Sequence, residues 1–286
     1  MTIQVCTALA ETAARVSAAV EGLDIRFGSA DVPAEPAWTR CSAVDADFLA
    51  DWERAAAADL LRRYGATHPT TAAAYVLHWY AKIPGAVGAA LFRHARRIPR
   101  LDRDALAFHR APDDPAPSGA ALLDERFWCL PDDPAAEDPA ATVVPDETTL
   151  AAVLRSQVRI HADAFLADYG PGVPLPRRAR LGAFFDGLDT GIWRAADGGT
   201  RCADPAAATM VLGDAALVLP GGTPEFPDAS TLHLLHDNRA RPWLSRRRVS
   251  CCFYFKVSPD GSACTTCPRT PAAERAQRYA ELTDFR

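Results

Sequence analysis

Arg246-Arg247-Arg248-Val249-Ser250-Cys251-Cys252-Phe253-Tyr254-Phe255-Lys256-Val257 runs straight into Ser258-Pro259-Asp260-Gly261-Ser262-Ala263-Cys264-Thr265-Thr266-Cys267-Pro268. Half of the eight cysteines fall within 17 residues of this stretch, Cys251 to Cys267. The first pair opens an apolar, aromatic run that reads as a strand. A Pro-Asp-Gly turn follows. The second pair is a Cys-x-x-Cys capped by proline. A strand, a tight turn and a return would bring the two pairs face to face. Four thiols at one point imply a metal or iron–sulfur site, two disulfides, or packed redox thiols. Disulfides suit small secreted domains, and this chain is neither small nor read as secreted. Structural zinc is normally clamped by two short knuckles. A vicinal Cys-Cys does that badly, because successive strand side chains point to opposite faces unless the backbone buckles. An iron–sulfur cluster shares four thiolates between two irons and tolerates a wider spread.

These residues carry a resemblance. A basic run, Cys-Cys, aromatics, a glycine turn and Cys-x-x-Cys resemble the C-terminal signature of the FhuF-type ferric siderophore reductases. The resemblance implies a 2Fe–2S cluster on Cys251, Cys252, Cys264 and Cys267. It implies a cytoplasmic oxidoreductase that passes one electron to siderophore-bound Fe(III) and releases Fe(II) for iron assimilation. The eleven residues 253–263 between the pairs are one more than the family pattern has. The extra residue falls in the turn 258–262, where insertions are best tolerated. A softer similarity covers His68 to Arg97: a small-residue helix with aromatics, a proline break at Pro84 and a second apolar helix. The family's larger N-terminal part is expected to hold the ferric siderophore, here residues 44–200. The electron donor would be external, such as a ferredoxin or a reductase.

The composition is ordinary for a soluble protein. The chain has 286 residues, 49% hydrophobic and 23% charged, with a net charge of −5. That charge argues against bulk nucleic-acid binding. Lys82 and Lys256 are the only lysines. The N-terminus has no basic n-region, and Glu11 and Arg15 interrupt any apolar core, so it does not read as a signal peptide. No run reaches the ~18 to 20 apolar residues of a membrane span. Cys6, Cys41, Cys129 and Cys202 are scattered and read as inert packed thiols.

Outward from the cysteine motif, the chain reads as α+β and predominantly helical. A larger helical part, 1–240, would carry a small hairpin. A small iron–sulfur subdomain would occupy 241–286. Amphipathic spacing predicts helices over 3–21, from an Asp45 cap to Tyr64, from Pro69 to Pro84, from Gly85 to Arg97, over 148–169 and over 181–196. Leu106–His109 and Glu125–Cys129 are expected to pair around a turn at 112–119. Pro131 to Pro145 is acidic and proline-rich, a surface loop or subdomain linker. Residues 205–219 read as a short helix and then a strand, 215–219. Pro271 to Phe285 reads as a helix packed over the cysteine motif. Tyr75, His78 and Trp79 read first as core, or as a pocket lining. His161 reads as a satisfied core histidine. His233 and His236, at i and i+3 with Asp237 beside them, have a spacing that would suit a metal but read as solvated residues of a helix.

Arg246, Arg247 and Arg248, with Arg239 and Arg241 upstream, would form a positive rim that docks an acidic electron donor or an anionic siderophore. No Gly-x-Gly-x-x-Gly follows a strand, and no Gly-x-x-x-x-Gly-Lys, Gly-x-Ser-x-Gly or His-Glu-x-x-His occurs. Two other classes stay open: a siderophore- or partner-binding protein with a structural four-cysteine zinc site, and an iron–sulfur redox sensor. A DNA-binding sensor would need a helix-turn-helix with a basic recognition helix, which the chain does not show.

Overall fold

The computed structural model describes residues 7–28, 37–196, 205–237 and 239–283. Among them the chain forms seven α-helices and three small sheets, 49% helix and 14% strand. The α+β, mainly helical reading therefore holds.

The helices start and stop where local chemistry says. Thr7 caps α1 (Ala8–Ala19), so the N-terminal helix is shorter than its pattern suggested; residues 3–6 lie outside the described segments. Asp45 caps α2 (Ala46–Tyr64) through the Phe48 N–H at 2.8 Å, and Gly65 ends it in the left-handed region at φ 71°. Both devices satisfy backbone groups that a helix end leaves orphaned. Pro69 opens α3 (Pro69–Ala95), which is one 27-residue helix and not two. Pro84 lies inside it. A proline removes one helical hydrogen bond, and here tertiary packing outweighs that loss. α4 (Glu147–Asp168) and α5 (Arg177–Arg194) complete the central bundle, followed by α6 (Pro205–Val218) and α7 (Ala272–Thr283).

Among the described residues α3 and α5 pack backbone to backbone, and glycines make it possible. A methyl group on Gly187 would sit 2.3 Å from the Ala81 carbonyl oxygen; one on Gly191 would sit 2.5 Å from that of Gly85. Backbone meets backbone at this crossing, beside Pro84 of α3.

The strands fold over the bundle. β1 (Asp24–Phe27), β2 (Trp38–Arg40), β4 (Leu106–Arg110) and β5 (Pro117–Leu122) form a sheet in the order β1-β5-β4-β2, with β1 parallel to β5. β3 (Arg97–Pro99), β6 (Phe127–Cys129) and β7 (Ala141–Val143) form a second sheet. β8 (His233–His236) and β9 (Pro242–Ser245) form a ribbon.

Four expectations are corrected here. Leu106–Arg110 pairs with 117–122, not with 125–129; the small residues Ser118 and Gly119 read as turn but form a strand. The acidic loop 131–145 contains β7 and is tied down by an Asp133–Arg97 ion pair at 2.6 Å, so it is no free linker. Residues 215–218 continue helix α6 and are not a strand. His233 and His236 lie on a strand and not on a helix; at a separation of three they point to opposite faces and cannot share a metal.

One core cluster runs through the molecule. Tyr80, Phe165 and Phe184 stand at its centre, with Tyr80 stacked on Phe165 at 3.9 Å. His161 is fully buried among them. Its Nδ1 meets the Leu101 carbonyl at 2.6 Å and its Nε2 meets the Tyr80 hydroxyl at 2.9 Å. It is the satisfied core histidine its sequence position suggested. Leu244 and Val257 belong to the same cluster, so the C-terminal segment packs directly on α3 and α5.

Candidate metal centre

The approach to Cys251 is built on one buried carboxylate. Asp186, on α5, accepts the N–H groups of Val249 and Ser250, each at 3.0 Å, and the Ser250 hydroxyl. It also receives the Arg246 guanidinium at 2.7 Å. Arg246 donates further to Thr190 and lies 3.4 Å from Asp189, which is itself held by Ser230 and Thr231 at 2.6 and 2.8 Å. A buried ion pair persists only when the remaining donors and acceptors are also satisfied; here most of them are. Sequence inspection missed Asp186 and Asp189. The available signal was two acids inside the apolar pattern Phe184-Phe185-Asp186-Gly187-Leu188-Asp189.

This network corrects the arginine rim. Arg246 is 1% exposed and cannot dock anything. Arg241 is ion-paired to Asp237 at 2.7 Å. Arg247 is exposed, and Arg248 is half-buried beside the cysteines.

The aromatic run after Cys252 is not a strand. Phe253 adopts φ 56°, and a 3-10 turn follows over Tyr254–Lys256. A left-handed non-glycine residue costs roughly 1–2 kcal/mol. It supplies the buckle that lets vicinal thiols turn toward one centre. Thr71 of α3 fastens it by donating to the Phe253 carbonyl at 3.0 Å. Tyr64 meets Tyr254 edge-on at 5.2 Å. The turn 258–262 closes through Asp260, which accepts the Ser262 N–H at 3.0 Å, with Gly261 at φ 71°.

The second pair sits on a knuckle. The Cys267 N–H meets the Cys264 carbonyl at 2.9 Å. Arg275 of α7 clamps it, reaching the carbonyls of Thr265 (2.9 Å), Thr270 (3.1 Å) and Cys267 (3.3 Å), and Arg278 reaches that of Ala263. The C-terminal helix does cover the motif, as its sequence suggested.

The fold brings the two cysteine pairs together. Cys252 and Cys264 place their sulfurs 3.8 Å apart. Backbone N–H groups point at sulfur: Phe253 at Cys251 and Arg269 at Cys267, each at 3.4 Å. The Cys252 thiol is held down to about 6, first by its contact with Cys264 and then by the Arg248 charge, against the effect of burial. The same contact and burial push Cys264 up, and burial pushes Cys251 up. Cys252 and Cys267 are buried, while Cys251 and Cys264 are half-exposed. Among the described residues, no three His, Cys, Asp or Glu side chains are gathered to hold a single ion. Four soft thiol donors, N–H groups aimed at sulfur and an adjacent guanidinium are the set an iron–sulfur cluster uses. The donor set fits such a group.

Residues 248–269 match the FhuF 2Fe-2S C-terminal domain. The cofactor of that domain is a 2Fe–2S cluster. The matched FhuF segment contains all four cysteines together with Arg248 and Arg269, and the turn 258–262 falls inside it. No curated protein and no solved structure matches the chain. No described helix is long and apolar enough to cross a membrane. Cys41 and Cys129 are buried, apart from the motif; Cys6 and Cys202 lie outside the described residues.

Proposed function

We propose that the protein is a cytoplasmic ferric siderophore reductase in which Cys251, Cys252, Cys264 and Cys267 hold a 2Fe–2S cluster. The observation that supports this reading is the FhuF match over residues 248–269, which contain the four cysteines, with the Cys252 and Cys264 sulfurs 3.8 Å apart. Bound there, the cluster supplies one-electron transfer. The substrate is Fe(III) caged in hard oxygen ligands. It takes one electron, which an external donor of the ferredoxin or reductase class provides, and the resulting Fe(II) is held more weakly by the same oxygens.

The protein's part is position and electrostatics. Arg248 offsets negative charge on the Cys252 side. The Phe253 and Arg269 N–H groups support the sulfurs of Cys251 and Cys267. Asp186, Thr71 and Arg275 hold the three backbone segments that present the thiols. The half-exposed Cys251 and Cys264 mark the side from which a bulky chelate would be approached.

The test is direct. Anaerobically purified protein should show a 2Fe–2S visible spectrum. Once reduced, it should transfer one electron per cluster to a ferric siderophore, read with a ferrous chelator. A colourless, zinc-loaded protein would sink the proposal.

A further inference from the structure

A cavity of about 280 Å³ opens between α3, α5, the start of β5 and the turn after α1. Leu23, Trp79 and Ile83 give it apolar walls, Ser118 stands at its rim, and Lys82 and Arg194 bring two positive charges. Among the described residues, no hydrogen bond or ion pair reaches either cation, in a protein where most arginines are paired. Lys82 is one of only two lysines. Burial, and then the fields of Arg248, Arg194 and Arg246, push its ammonium down to about 7. Lys82 and Arg194 thus place positive potential on this wall, an arrangement that draws in an anion.

The field of Cys252 opposes that of the arginines at Lys82. Trp79 meets Tyr75 edge-on at 5.5 Å, and Tyr75 in turn feels Cys252. An indole beside two cations suits a flat ring that carries a negative charge. Size sets the scale: a cavity of roughly 150 Å³ holds benzene, and drug-sized ligands need about 300–1,000 Å³. The space takes one substituted aromatic ring and excludes a whole ferric siderophore.

We infer that this cavity binds a flat aromatic carboxylate of the hydroxybenzoate class, with Lys82 and Arg194 facing its charge and Trp79 its ring. The anion site does not rest on the reductase reading.

The test is calorimetric titration of the full, cluster-loaded chain with 2,3-dihydroxybenzoate at low salt. Saturable binding is expected. Lys82→Met and Trp79→Leu should each weaken it at least tenfold, while Arg54→Ser, an exposed change on α2 away from the cavity, should leave it unchanged. The uncharged analogue 2,3-dihydroxybenzamide should bind wild-type protein at least tenfold more weakly, a comparison that needs no variant to fold. No saturable binding, equal binding of acid and amide, full binding by Lys82→Met, or preference for acetohydroxamate would each overturn the inference. The two readings fail separately. A protein that reduces ferric chelates but ignores the acid retains its function and loses this site. A zinc-loaded protein that binds the acid through Lys82 keeps the site and loses the function.

Discussion

The Asp186 carboxylate accepts the Ser250 N–H at 3.0 Å, one residue ahead of Cys251 and 64 positions away along the chain. Through this bond helix α5 sets where the first cysteine pair begins.

Asp186→Asn should therefore be costly. It removes one of the two carboxylates that face the buried Arg246 guanidinium, a change worth up to about 3–5 kcal/mol. Chemical denaturation should show that loss, and iron per chain should fall with it. Wild-type stability in the variant would mean that the carboxylate is dispensable.

Changing single cysteines to serine divides the thiols into two groups. Cys251→Ser, Cys252→Ser, Cys264→Ser and Cys267→Ser should each abolish the visible absorbance and lower iron from about two per chain toward zero, as expected when a thiolate ligand is removed. Cys41→Ser and Cys129→Ser should retain both, since these thiols are packed in the core. Iron and acid-labile sulfide assays decide.

The arginines should also separate. Arg246→Ser should destabilise the fold as Asp186→Asn does. Arg247→Ser should change stability by no more than about 0.5 kcal/mol, as exposed substitutions do, yet slow electron uptake from an acidic donor and flatten its salt dependence. Stopped-flow reduction at several ionic strengths would show this, and identical slopes for both proteins would remove Arg247 from the docking surface.

Helix crossing is tested at Gly187. Its backbone lies so close to Ala81 that Gly187→Ala forces the helices apart, with a loss of about 1–3 kcal/mol from overpacking. A thermal midpoint equal to wild type would show that the crossing relaxes freely.

His161 predicts a pH dependence. Burial lowers its pKa from 6.5 to about 4. Between those values the unfolded chain binds a proton that the native state refuses. Stability is therefore unaffected above pH 6.5, is lost as pH falls toward 4, and levels off below. The shift corresponds to up to roughly 3 kcal/mol. His161→Gln should flatten this portion of the stability profile, measured by denaturant titration at each pH.

What the amino-acid sequence determined by itself was local or compositional. The four cysteines and their spacing, the Asp45 cap, the Gly65 stop, the mainly helical character and the C-terminal helix were all legible, because each depends on neighbours within a turn or two of chain. The tertiary structure decided what depends on distant partners. Pro84 stays inside α3 because glycines on α5 let the two backbones touch. Residues 117–122 become a strand because β1 and β4 flank them. Arg246 turns inward because Asp186 waits there, and Phe253 holds a left-handed turn because Thr71 fastens its carbonyl. Each of these burials or strains is uphill locally and is offset only by groups that the chain brings from far away.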